Sequence, residues 1–242
     1  MIINRRLLSI YIKGRGYSTI GNPPLDNLLI DFTHLPASLL NLVRAGFTLI
    51  PDFISEEEHQ ELIKQCNSKL RRLVGKDYSN RHFDGVIHQY RECSVSSWSL
   101  PTPQNDGHDE TRGILARARH HFPHITNWDI PHVLDLKAGG ESYIRAHVDN
   151  IQASGKIVAG ICLMSPATVI FRHKDNPEQF FKCLLNPRCL YAQEGDLRYL
   201  FTHEIPEGKI VDKTDDSYLE GAPQRLGQRI SIMLRDRPPS PL

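Results

Sequence analysis

Residues Ser142–Asp149 read SYIRAHVD, and the layout of that run decides the fold. Drawn as a strand, its side chains alternate between two faces, so His147 and Asp149 point the same way and Val148 points the other. An imidazole and a carboxylate side by side are two of the three members of a facial metal site. The third should be a histidine on a strand that the fold brings alongside. Two histidines and one carboxylate suit non-haem Fe(II) and leave open positions for a co-substrate and oxygen.

Outward from this run the chain keeps the same texture. HVLDLK precedes it, and KIVAGICLM, ATVIFRHK, FFKCLLN, CLYAQEG, RYLFTHEI and RISIMLRD follow. Gly139-Gly140, Ser165-Pro166, Asn176-Pro177, Asn186-Pro187 and Gly195-Asp196 separate these strands. Short strands with turn signals between them predict a sandwich, a jelly roll or a barrel. Ahead of them, GFTLIPDFIS (Gly46–Ser55) reads as a strand running into a turn. Ser55 and Glu58 then form a capping box for a helix through EEEHQELIKQCNSKLRRLV. Its acids lie in the first turn and its basic residues in the last, complementing the helix dipole. DETRGILARARHHF (Asp109–Phe122) predicts a second helix. Helices before strands imply an α+β, mainly β, domain with helices packed on one face of the β-core. Residues 206–224 are polar and acidic and read as a surface loop.

The third metal ligand comes from twelve histidines. His173 is flanked by Arg172 and Lys174, whose charges repel a cation. His203 ends an apolar-aromatic run late in the sheet, with Glu204 turned to the other face, and is the better choice. RISIMLR adds Arg229 and Arg235, an even spacing that puts both on one strand face with Ser231 and Met233. Inward arginines are costly unless paired. A guanidinium binds a carboxylate through two parallel hydrogen bonds, as a dicarboxylate co-substrate needs. Tyr191 can add a hydroxyl to the same carboxylate. The alternative for the arginines is an exposed face or an ion pair with Asp or Glu.

The composition bounds the rest. The chain has 242 residues, 40% hydrophobic and 24% charged, with a formal net charge of +1. That length and balance fit one sizeable core and carry no bulk signal of nucleic-acid binding. Five cysteines, Cys66, Cys93, Cys162, Cys183 and Cys189, form no Cys-x-x-Cys pair and read as reduced thiols. No stretch approaches the ~20 apolar residues of a membrane span. MIINRRLLSIYIKGRGYST is basic, free of acids and amphipathic on a helix, which is the pattern of a mitochondrial transit peptide cut before Ser18. The organisation expected is a transit peptide over 1–17, a connector over 18–45, the catalytic domain over 46–238 and a tail over 239–242.

His147-x-Asp149, His203 and Arg229-x5-Arg235 resemble the AlkB-like Fe(II)/2-oxoglutarate-dependent dioxygenases, and most of all the mitochondrial branch of that family. FDGVIHQYRE (Phe83–Glu92), HVLDL, IVAGICLMSP, LYAQEGDLRYLFTHEI and RISIMLR carry the resemblance in order, over roughly residues 46–238. It implies a double-stranded β-helix, or jelly roll, with iron at one mouth. It also implies that His147, Asp149 and His203 bind Fe(II), that Arg229 pairs with the distal carboxylate of 2-oxoglutarate with Tyr191 assisting, and that Arg235 supports the pocket. The reaction implied uses molecular oxygen. It couples decarboxylation of 2-oxoglutarate to succinate with hydroxylation of a C–H bond.

Nucleic-acid-repairing relatives carry an Asn-x-Tyr pair ahead of the His-x-Asp motif. This chain has Leu134-Asp135-Leu136 there, a greasier wall. Those relatives also read a flipped base with a basic, aromatic lid. Residues 75–111 hold Asp77, Asp84, Glu92, Asp106, Asp109 and Glu110 against Lys76, Arg81 and Arg91, a negative balance. A protein or small-molecule substrate in the mitochondrial matrix is therefore favoured over duplex DNA. Demethylation of mitochondrial RNA and a low-turnover regulatory module are the alternatives. The resemblance further implies links to fatty-acid metabolism and programmed necrosis.

Overall fold

The computed structural model describes residues 29–99, 110–208 and 225–238. The first half holds β1 (Ile30–Asp31), α1 (Ala37–Gly46), β2 (Phe47–Ile50), α2 (Glu56–Leu73), β3 (Ser79–Arg81), β4 (Ile87–Ser94) and α3 (Glu110–His120). Then follow β5 (His132–Leu136), β6 (Tyr143–His147), β7 (Ile157–Met164), β8 (Ala167–His173) and β9 (Asn176–Leu185). The last elements are β10 (Leu190–Glu194), α4 (Asp196–Leu200), β11 (Phe201–Ile205) and β12 (Arg229–Arg235).

The strands form one curled antiparallel sheet in the order β1-β9-β8-β11-β6-β4-β5-β12-β7-β10-β2, with β3 paired to β4. Curling lays β8, β11 and β6 over β5, β12 and β7. The interior between them is filled by Leu134, Leu136, Ile144, Cys162, Phe171, Phe181, Phe201 and Ile205. This is the jelly roll that the alternating runs predict. The other face of β12, β7 and β5 carries Ile230, Ile232, Leu234, Ile161 and Val133, and α2 and α3 cover it. On α2, Leu62, Cys66 and Leu70 recur every four residues and are fully buried. Each such leucine contributes about 1.5–3 kcal/mol of hydrophobic stabilisation. The capping box is complete, because Ser55 Oγ accepts from Glu58 N and Glu58 Oε2 accepts from Ser55 N.

Several expectations need correction. The span read as a connector, 18–45, contains β1 and nearly all of α1. Leu39, Leu40 and Leu42 pack against the interior cluster and Val43 is buried within it, so this leucine-rich stretch is a helix with its own core face. Gly46 lets that helix turn directly into β2, since a Cβ there would lie 2.7 Å from Glu194 O and from Leu197 Cβ. The helices do not all precede the sheet. β2, β3 and β4 come before α3, and the first three residues of the run read as RYLFTHEI, Arg198–Leu200, belong to a helical turn, α4. Asn176-Pro177 is not a turn but the start of β9; the chain reverses at Lys174-Asp175. The transit peptide over 1–17, residues 209–224 of the acidic loop and the tail over 239–242 lie outside the described residues. Among the described residues, no helix is long and apolar enough to cross a membrane.

Candidate metal and co-substrate site

β6 and β11 pair so that His147 and His203 are Cα partners. The next partners are Ile144 and Ile205, three residues back on one strand against two forward on the other. This bulge lets both Ile144 and His147 face inward while Arg145 and Ala146 stay exposed. The two imidazole rings stand 4.3 Å apart between centroids. Beyond the end of β6, Asp149 returns to them, its Oδ1 3.1 Å from His147 Nε2 and 3.7 Å from His203 Nε2. One ligand atom from each residue lies within 4.8 Å of the others.

The charges suit a cation. Burial works against ionisation of Asp149, but Arg235 and the two histidines outweigh it and hold the carboxyl well below its usual range. Arg235 Nε donates to Asp149 Oδ2 at 3.0 Å, leaving Oδ1 turned toward the imidazoles. Arg235, expected to support the pocket, is placed against this carboxylate. Burial, and then neighbouring His147, push His203 down to about 3, so its ring is neutral. Burial also opposes a charge on His147, yet the hydrogen bond to Asp149 raises its pKa above the ordinary value. His147 Nδ1 donates to Arg145 O at 2.9 Å, which leaves Nε2 as the nitrogen facing the cluster. His147 Nε2 would give up its proton to serve a metal there. Two imidazole nitrogens and one carboxylate oxygen on one face fit Fe(II).

The wall expected to take the co-substrate lies on β12. Arg229 is 1% exposed, and its guanidinium donates to Ser231 Oγ at 3.1 Å and Cys162 Sγ at 3.2 Å. Its Nε has no partner, and among the described residues no carboxylate pairs with it. Burial opposes ionisation of the Cys162 thiol, yet Cys189 and Arg229 together draw its pKa below the ordinary value. An unpaired buried guanidinium fits a dicarboxylate co-substrate. Tyr191 lies flat on β7, where a Cβ on Gly160 would sit 2.5 Å from its ring. Burial, then Cys162, push its hydroxyl pKa up, so it remains a donor. In this state the hydroxyl's contact is Met233 Sδ at 3.7 Å. Leu134 and Leu136 are the register partners of Ser231 and Arg229, giving the apolar wall expected from HVLDL.

Two residues escape the sequence reading. Arg198 on α4 is fully buried, and its Nη2 donates to Asp149 O at 3.0 Å, Ser154 O at 3.2 Å and Ser154 Oγ at 2.8 Å. It staples the loop that follows the Asp149 ligand position. Gln193 Nε2 lies 3.1 Å from His203 Nδ1. Nothing in LYAQEGDLRYLF singles out either residue. Glu92 of β4 accepts from His132 at 2.9 Å and approaches His82 at 3.3 Å, beside Phe83, which is 93% exposed.

No protein-family model matches the chain. It is 33% identical over 204 residues to the mouse (Mus musculus) alpha-ketoglutarate-dependent dioxygenase alkB homolog 7, mitochondrial, covering 84% of this chain and 83% of that protein. The cattle (Bos taurus) protein of the same name is 32% identical over the same span of 204 residues, with the same coverage. Among solved structures, OsALKBH1 matches with a TM-score of 0.54 at 17% identity, over 79% of this chain and 98% of that one. A Trichoplax adhaerens prolyl hydroxylase matches with a TM-score of 0.53 at 14% identity, over 82% and 87% of the two chains. These two likenesses speak to the fold alone.

Proposed function

The chain belongs to the alkB homolog 7 family of alpha-ketoglutarate-dependent dioxygenases, and from that premise we propose that it hydroxylates a protein or other non-DNA substrate in the mitochondrial matrix. The activity class brings Fe(II), 2-oxoglutarate and oxygen with it. In our reading His147, Asp149 and His203 hold the iron, Arg229 with Tyr191 takes the distal carboxylate of 2-oxoglutarate, and Arg235 holds Asp149. When bound, iron with its co-substrate supplies the oxidation of a C–H bond, releasing succinate and carbon dioxide.

The chain's own side chains do the rest. Arg229 supplies a buried positive charge at a fixed place, so the co-substrate enters in one orientation. Leu134 and Leu136 keep water from that wall. Arg198 holds the Asp149 backbone, and Arg235 holds its side chain. The observation that carries this reading is Arg229, a buried cation without a counter-charge among the described residues, on the same strand as the arginine that fixes Asp149.

The names of the relatives support a mitochondrial setting, and the basic leader supports entry to the matrix. As part of the same proposal we connect the protein to fatty-acid metabolism and programmed necrosis. The test is succinate release from 2-oxoglutarate by purified protein with Fe(II), with His147→Ala as the inactive control. Matrix protein extract should stimulate release and mitochondrial RNA should not. Mass spectrometry of deficient cells should then show hydroxylation missing from matrix proteins. Accumulation of methylated mitochondrial RNA with an unchanged protein profile would reject the protein-substrate reading.

A further inference from the structure

The two histidines of the site are held by different means. His147 Nδ1 rests on a backbone carbonyl, Arg145 O, which no substitution removes. His203 Nδ1 rests on a side chain, the amide of Gln193, at 3.1 Å. Gln193 sits on β10, two residues after Tyr191 and on the same face, and is 2% exposed. The atom it turns to His203 is Nε2, a donor, while its Oε1 is buried without a partner.

The contact fixes which atoms of the two side chains meet, and the tautomer of His203 decides which atom of the amide it calls for. With Gln193 Nε2 donating, His203 Nδ1 must accept, so the ring proton sits on Nε2, facing Asp149. A ring that gives Nε2 to a metal carries its proton on Nδ1 instead, and that N–H needs an acceptor. Gln193 Oε1 is an acceptor with its capacity unused. A half-turn of the amide exchanges Nε2 and Oε1 within the same envelope.

We propose that Gln193 is a positioning residue of the metal centre: in the loaded protein its amide turns to present Oε1 to His203 Nδ1–H, fixing the tautomer and ring orientation that leave Nε2 for the metal. This rests on the assignment of His203 as a ligand.

The test is Mn(II) affinity of the full chain without 2-oxoglutarate, read from the free-ion EPR signal. Gln193→Leu keeps the approximate volume and removes the acceptor. Its affinity should fall roughly 10–100-fold, the usual effect of losing a ligand's hydrogen-bond partner. Gln193→Glu restores an acceptor and should bind within a few-fold of the wild type. Gln193→Met, a second apolar replacement, should behave like Gln193→Leu, and circular dichroism should show all three folded. Wild-type affinity in Gln193→Leu would overturn the inference. Equal weakening in Gln193→Leu and Gln193→Glu would assign Gln193 to packing and overturn it too. If the wild type bound no Mn(II), the ligand assignment itself would fall, taking this inference with it. Binding by the wild type but not by His147→Ala separates the two failures.

Discussion

Two arginines meet the same three strands from opposite faces and end in opposite conditions. Arg91 on β4 pairs by register with Asp135 on β5, whose partner on β12 is Ile230. One residue away in register, Tyr90, Leu136 and Arg229 make the next row and face the interior. Arg91 reaches Asp135 Oδ2 through Nη2 at 2.6 Å and Nε at 3.1 Å. Tyr78 donates to the same carboxylate at 2.9 Å, and Gln228 to its other oxygen at 3.0 Å. Arg229 has a hydroxyl and a thiol, and no carboxylate among the described residues. A buried charge with its counter-charge in place is architecture. A buried charge without one suits a ligand's carboxylate, the part we propose for Arg229.

If that contrast is right, removing each arginine should move a different observable. Arg91→Met leaves Asp135 buried and short of its cation, and should cost about 3–5 kcal/mol of stability, toward the lower figure because Tyr78 and Gln228 remain. The KM for 2-oxoglutarate should stay near the wild-type value. Arg229→Met should do the reverse. Losing a hydrogen-bonded charge contact of about 1.5–3 kcal/mol raises that KM roughly 10–150-fold. Thermal stability should hold or rise, since an uncompensated buried charge is replaced by an apolar chain. Urea titration and steady-state kinetics on the two variants settle the matter. Destabilisation by Arg229→Met with an unchanged KM would make Arg229 architecture as well.

Much of this was legible from residues near one another in sequence. The His-x-Asp spacing in SYIRAHVD points His147 and Asp149 at one place, although β6 ends at His147 and a bulge breaks the alternation inside it; the even spacing in RISIMLR puts Arg229 and Arg235 on one face. Ser55 and Glu58 declare their helix within a single turn. What depends on register between distant strands was not legible. Asp135 lies in HVLDL between two leucines, and nothing local says that its partner is Arg91, 44 residues earlier. Gln193 reaches His203 only because α4 turns the chain back between β10 and β11. The leucines of α1 were passed over as a connector because Pro36 and the prolines upstream suggest loop, whereas Pro36 sits at the N-cap, where a missing N–H costs little.

The smallest effect probes the paired side of the contrast. Tyr78 is one of several donors to Asp135, and Arg91 also stacks over its ring at 4.5 Å. Tyr78→Phe keeps the ring and removes the hydrogen bond to Asp135 with the longer one that the hydroxyl accepts from Arg91 Nη2 at 3.4 Å, for about 1 kcal/mol. Its sharper signature is in pH. Burial, then the Asp135 carboxylate, push the Tyr78 hydroxyl up to about 12 in the folded protein, while an unfolded tyrosine titrates near ~10. A pKa raised by folding contributes stability that is fully present below the unfolded value and is lost as pH rises through the folded one. Wild-type stability should therefore fall between about 10 and about 12 from this group, and Tyr78→Phe should flatten that part of the fall. Deprotonation there also sets a phenolate against the Asp135 carboxylate, so the loss should exceed that of an isolated hydrogen bond. An alkaline limb identical in the two proteins would mean that Tyr78 does not feel Asp135, and that Arg91 and Gln228 alone complete the buried carboxylate.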